Sequence, residues 1–237
     1  MAAYRHGDAS GAQLANEHAL EVARSCSDRR EQAFGLVALG AAAEQAGDSK
    51  RAAELLALGL EAGREVGDAG PVGWALSILG AIAVRDGQFA LAGGLLDEAL
   101  ALSRPMGYWA VTVASLAHAS KLALAQGDIA LARGHALACL GTANDSGDSG
   151  LMAAALSSFA EAEQHAGSVE RFVRLVATEH RWRAERGAAR FVSFWSWPAP
   201  DAEVARGLLG EAAFAEAWAG GTALSLDAAV AEALTTH

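Results

Sequence analysis

Glu161 and His165 stand four residues apart in a helical pattern, a spacing that sets a carboxylate and an imidazole one turn apart on one face. A carboxylate beside an imidazole is the arrangement of a general base, so this pair is where catalysis would be sought first. His165 also has a plainer reading: it lies just before Gly167, and a cation is favoured at a helix C-terminus. Other chemistries find no motif. His18, His118, His135 and His180 show no His-x-x-x-His spacing and Cys26 and Cys139 make no Cys-x-x-Cys, so neither a metal nor a cofactor is expected. No serine sits in Gly-x-Ser-x-Gly, and no Gly-x-x-x-x-Gly-Lys-Ser/Thr loop is present to cradle a phosphate. Both cysteines read as small buried hydrophobes.

The elements that must position these residues are helices marked off by glycine. Gly7, Gly47, Gly87, Gly127 and Gly167 lie 40 residues apart, and Gly67, Gly107, Gly147 and Gly187 form a second series of the same period. Aspartate often follows, at Asp8, Asp48, Asp68, Asp128 and Asp148. Glycine takes the left-handed conformation that ends one helix, and the aspartate side chain accepts the orphan amides that open the next. Two such steps per period leave room for a pair of helices of about 15 to 18 residues each. The spacing predicts a half repeat over 1–28, full helix pairs over 29–66, 69–106, 109–146 and 149–186, and an aromatic and helical C-terminal cap over 191–237. Apolar residues recur at helical spacing in the pairs, as in Leu36, Leu39 and Ala43, then Leu76, Leu79 and Ala83.

The order Leu39-Gly40, Ala43, Gly47-Asp48, Ala52, Leu56 and Leu60, repeated at Leu79-Gly80, Ala83, Gly87, Ala92, Leu96 and Leu100, resembles the tetratricopeptide repeat. It departs from that repeat in its 40-residue period, where 34 is usual, and in alanine at 43, 83 and 123, where a large aromatic is favoured. A period of 40 also falls in the HEAT and armadillo range, which is the rival at the level of fold. The resemblance implies an all-α, right-handed superhelical solenoid of helix hairpins over 1–190, in which the first helix of each pair lines a concave binding face. Helical periodicity projected onto that geometry places Phe34, Val37, Glu44 and Gln45 on the groove, then Trp74, Ser77 and Arg85, then Lys121, then Ser157, Glu161, Gln164 and His165. Aromatic, charged and amide groups together suit a protein or peptide partner or a small-molecule effector. The same residues also read as the solvated sides of the first helices.

The run from Leu209 to Leu234 is similar to the end of the repeat region in LuxR-type and related multidomain signal-transduction ATPases of bacteria. With no phosphate-binding loop in the chain, that resemblance covers the repeat portion and implies sensing or docking rather than ATP hydrolysis or DNA reading. A net charge of -10 argues against direct nucleic-acid binding, and no apolar run is long enough to span a membrane, so a cytoplasmic protein is expected. Arg171, Arg174, Arg181, Arg183, Arg186 and Arg190 lead into Phe191, Phe194, Trp195 and Trp197. This stretch reads either as a stacking surface or as a solvated helix face followed by rings that plug the last repeat. At the other end, Leu14 and Leu20 are expected on an open apolar edge suited to a homodimer or to upstream domains. The functional expectation is a non-catalytic binding module within a bacterial regulator. Its rival is a small cofactor-independent enzyme that uses the groove, with Glu161 and His165 as catalytic residues.

Overall fold

A computed structural model describes residue 21 and residues 28–186 and 202–235. The expected half repeat over 1–28 falls almost entirely outside these residues, as do Cys26, Arg190 and the aromatic run at 191–197. Among the described residues the architecture is all-α, with eleven helices and no strand. No described helix is long and apolar enough to cross a membrane. These residues form two compact units, the first ending at Val111 and the second beginning at Thr112.

The first unit holds α1 (Arg29–Gln45), α2 (Ser49–Val66), α3 (Ala69–Arg85), α4 (Phe89–Ser103) and the start of α5 (Trp109–Ala125). Backbone chemistry at the α1–α2 junction explains the boundary. Gly47 takes φ +81°, which lets its N–H donate to Glu44 O at 3.0 Å and the N–H of Asp48 donate to Ala43 O at 2.9 Å. Two orphan carbonyls at the end of α1 are thereby satisfied. The Asp48 carboxylate then accepts from Arg51 N at 3.1 Å and opens α2. Gln88 stands where an aspartate would cap α4 and makes no side-chain cap bond. That helix also stops at Ser103, short of the expected 106, because Pro105 has no N–H to continue the ladder.

Helix α1 packs on α2, α2 on α3 and α3 on α4, and α1 also reaches α3. The core between them contains Val37, Ala41, Leu56, Ala75, Ile78 and Ile82. Close approach depends on glycine: a Cβ added to Gly40 would lie 2.6 Å from Leu56 Cγ, and one added to Gly80 would lie 2.8 Å from Leu96 Cγ. Fully burying such a leucine contributes about 1.5–3 kcal/mol, so the small residue opposite it is part of the fold's stability.

The second unit holds the rest of α5, α6 (Ile129–Ser146), α7 (Ser149–His165), α8 (Val169–Arg186), α9 (Glu203–Leu209), α10 (Glu211–Ala223) and α11 (Leu226–Thr235). Ser120 stands 40 residues after Gly80, and its hydroxyl donates to Ala132 O of α6 at 2.9 Å. Helix α6 packs on α7 and α7 on α8, while α10 lies along α8 and α11 touches α6, α7 and α8. Residues 111–120 of α5 and 152–160 of α7 are buried without a break. Over these stretches both helices are core elements, and their partly exposed positions lie toward the helix ends.

Candidate functional site

In the first unit, α1 and α3 bring part of the expected face together. The Glu44 carboxylate pairs with Arg85, on a helix that starts 40 residues after its own. Glu44 Oε1 takes this contact, and Oε2 is buried with no hydrogen-bond partner. Arg85 is about half exposed and also lies 3.5 Å from Asp86. Phe34 is half-buried and reaches toward the start of α3 beside Gly70, Trp74 is half-buried against the core, and Gln45 is exposed. Val37 and Ser77 do not belong to this face. Both are fully enclosed, because α1 and α3 have neighbours on more than one side and the periodicity that marked a second stripe could not say what covers it.

In the second unit the counterpart is Lys121 on α5 and Glu161 on α7, whose charged atoms lie 3.5 Å apart. Burial pushes the Lys121 ammonium below its ordinary pKa, and the Glu161 carboxylate offsets part of that shift. Ser157 is 3% exposed and donates to Ala153 O, so it too is removed from the expected open face. Gln164 is half-buried, and its carbonyl accepts from Gly167 N in closing α7. His165 is exposed as the last residue of α7. The Glu161 carboxylate is engaged by Lys121, so the expected acid–base pair with His165 gains no orienting partner from this geometry.

Two buried carboxylates of the second unit escaped the sequence reading. Glu163 is 1% exposed and is held between Arg133 of α6 at 2.8 Å and Arg171 of α8 at 3.4 Å, while the Arg171 guanidinium also lies 5.1 Å from the centre of the Phe159 ring. Glu179, also 1% exposed, pairs with Arg183 and leaves Oε2 without a partner. Burial pushes its carboxyl above the usual carboxylate range, against the smaller pull of Arg183 and of Ser157. A signal for both was present. Glu163 falls in register with Ala43, Ala83 and Ala123, and Glu179 with Gly59, Ala99 and Cys139, so a charge stands where small residues otherwise recur. Buried Ser115 and Ser158 likewise each carry a hydroxyl with no hydrogen-bond partner.

The arginine stretch on α8 is consumed by partners rather than presented as a basic surface. Arg171 holds Glu163, Arg174 meets Glu232 at 3.1 Å, Arg181 donates to Leu224 O at 2.8 Å, and Arg183 holds Glu179. Arg186 stacks over Trp182 at 4.8 Å from the ring centre. These contacts tie α8 to α7 and to the C-terminal helices. Cys139 is fully buried, donates to Val113 O at 3.3 Å, and has its thiol pKa pushed far up by burial, which leaves it inert as a nucleophile. No group of histidine, cysteine and carboxylate side chains able to hold a metal occurs among the described residues.

The arrangement can present paired charges and half-buried rings to a ligand. In the first unit these are Glu44, Arg85, Trp74 and Phe34, and in the second Lys121, Glu161 and Gln164. Comparison with known proteins adds no assignment: no family model matches the chain, and no curated protein matches it.

Proposed function

We propose that the chain is a non-catalytic binding module, a right-handed solenoid of tetratricopeptide-like hairpins with a 40-residue repeat. Its first helices present a face for a protein or peptide partner. Its role is the sensing or docking portion of a bacterial cytoplasmic regulator, in keeping with the resemblance of the tail to LuxR-type signalling ATPases. The observation that carries this reading is Glu44. One of its carboxylate oxygens is held by Arg85 and the other is buried without a partner. An unsatisfied buried acceptor costs about 1–3 kcal/mol, a cost that a ligand N–H removes once the half-exposed Arg85 side chain swings aside and uncovers that oxygen. A peptide offers such donors along its backbone, and Trp74 and Phe34 offer apolar area about three turns back along the same two helices, within the span of an extended segment.

Native mass spectrometry of the protein purified from its own host, at several concentrations, tests this reading. The expected result is a peptide or protein retained on the wild-type chain and lost from Glu44→Gln, which exchanges one carboxylate oxygen for an NH2 group and removes the charge. A chain that emerges bare from its host in both forms, or a preparation whose bound species is unaffected by Glu44→Gln, overturns the assignment of this face.

A further inference from the structure

The second unit carries a cleft of about 590 Å³ where the start of α8 meets the last helices. Its volume lies inside the range of about 300–1,000 Å³ typical of small-ligand sites. Its lining is chemically mixed. Arg171, Arg174 and Glu170 come from α8, Leu209 closes α9, and Glu232 comes from α11.

The charges are arranged in a particular way. Glu170 and Arg174 are four residues apart on α8 and therefore share a face, with their Cβ atoms about 5–6 Å apart. They do not pair with each other. Arg174 turns to Glu232 through Nη2 at 3.1 Å, and Glu170 has no ion-pair partner among the described residues. Arg174 and Glu232 are 36% and 42% exposed, so their pairing is open to competition from a solute. The cleft thus offers an unengaged carboxylate and, one helical turn away, a guanidinium with only one of its donors bound to a carboxylate. The side chain of Leu209 provides apolar surface beside them.

We propose that this cleft binds a zwitterionic ligand of the amino-acid or short-peptide class. The ammonium group lies at Glu170, the carboxylate at Arg174, and the ligand side chain against Leu209. Two features of the lining exclude simpler ligands. A plain anion would meet the carboxylates of Glu170 and Glu232, and a plain cation would meet the guanidinium groups of Arg171 and Arg174. Only a solute carrying both charges satisfies both sets. A ligand carboxylate at Arg174 also competes with Glu232, so occupancy is felt at α11.

Saturation-transfer difference NMR on the full chain tests this, with the twenty common amino acids and glycyl-leucine as probes and inorganic phosphate as an anion control. The strongest binder is then compared with its N-acetylated form and its carboxamide form by isothermal titration calorimetry. The expected result is saturable binding of at least one zwitterion, weakened tenfold or more by either blocking group. Glu170→Gln, an exposed substitution that leaves the fold intact, weakens the free zwitterion by a similar factor and leaves the weak N-acetylated form unchanged. Arg174→Lys weakens the free zwitterion as well and makes the carboxamide form no worse. Absence of saturable binding by every zwitterion, equal affinity for free and blocked forms, or tighter binding of phosphate than of any zwitterion overturns the proposal.

Discussion

Gly221→Ala is the sharpest perturbation the packing offers, because it adds one methyl group where two helices have no room for it. Gly221 lies near the end of α10, against α8. The added Cβ would stand 2.8 Å from Ala177 Cβ and closer still to the carbonyl oxygen of Arg174. Neither neighbour is the free end of a side chain, so the collision is relieved only by moving α10 off α8. Overpacking of this kind costs about 1–3 kcal/mol. The same displacement lengthens the bond from the Thr178 hydroxyl to Gly221 O, now 2.8 Å, at a further cost of about 1 kcal/mol. Against these, alanine improves helix propensity by about 1 kcal/mol. The net expectation is a loss of about 2 kcal/mol, concentrated in the C-terminal helices. Gly134→Ala is the matched control, since it lies within α6 of the same unit with nothing within 4 Å of its added Cβ. Only the propensity gain remains there, and the variant is expected to be more stable by about 0.5–1 kcal/mol. Guanidinium denaturation followed by circular dichroism, with hydrogen exchange of α10 peptides, reads both. If Gly221→Ala were as stable as Gly134→Ala with α10 equally protected, the helix approach argued here would be wrong.

Three further outcomes follow from the same physics. Gln88→Asp is expected to stabilise the chain by about 0.5–1 kcal/mol, read as a higher Tm, because residue 88 has a backbone conformation near that of the capping residue Asp48 but makes no side-chain cap; an unchanged Tm would refute the capping argument. Glu163→Ala is expected to cost about 2–4 kcal/mol in denaturant melts, since it deprives Arg133 and Arg171 of a buried carboxylate; a change below about 1 kcal/mol would reduce the pairing to the worth of a surface salt bridge. For Glu179, the folded carboxyl binds its proton more tightly than the unfolded one, so its contribution to stability is fullest below the ordinary glutamate pKa and is lost as pH rises through the folded value. Glu179→Gln is therefore expected to be at least as stable as wild type at pH 7, with the difference shrinking below about pH 4 in parallel melts; a clearly weaker variant at pH 7 would show that the Arg183 contact outweighs burial.

Much of the local architecture was legible in the sequence because it is local chemistry. The glycine at position 47 and the aspartate at position 48 end one helix and begin the next through bonds that span five residues or fewer. Helix α1 ends at Gln45 and α2 begins at Ser49, on either side of that step. The expected face was less legible. Glu44 with Arg85 and Lys121 with Glu161 do meet, but Val37, Ser77 and Ser157 are enclosed. Periodicity names the residues that share a stripe on a helix, and several elements can cover one helix on different sides.

By itself the sequence determined where helices stop and start, since left-handed glycine and a capping carboxylate act on their own backbone and need no distant partner. That Gly40 and Gly80 must be small was decided by tertiary structure, which sets Leu56 and Leu96 against them. Tertiary structure alone decided the fate of the charges. Glu161 and Glu163 are two residues apart in one helix, yet the first stays partly open beside Lys121 while the second is sealed between Arg133 and Arg171. Burial of a charge depends on what other helices bring to it, and those arginines come from 30 and 8 residues away. Neither separation is a local period that a one-dimensional pattern records.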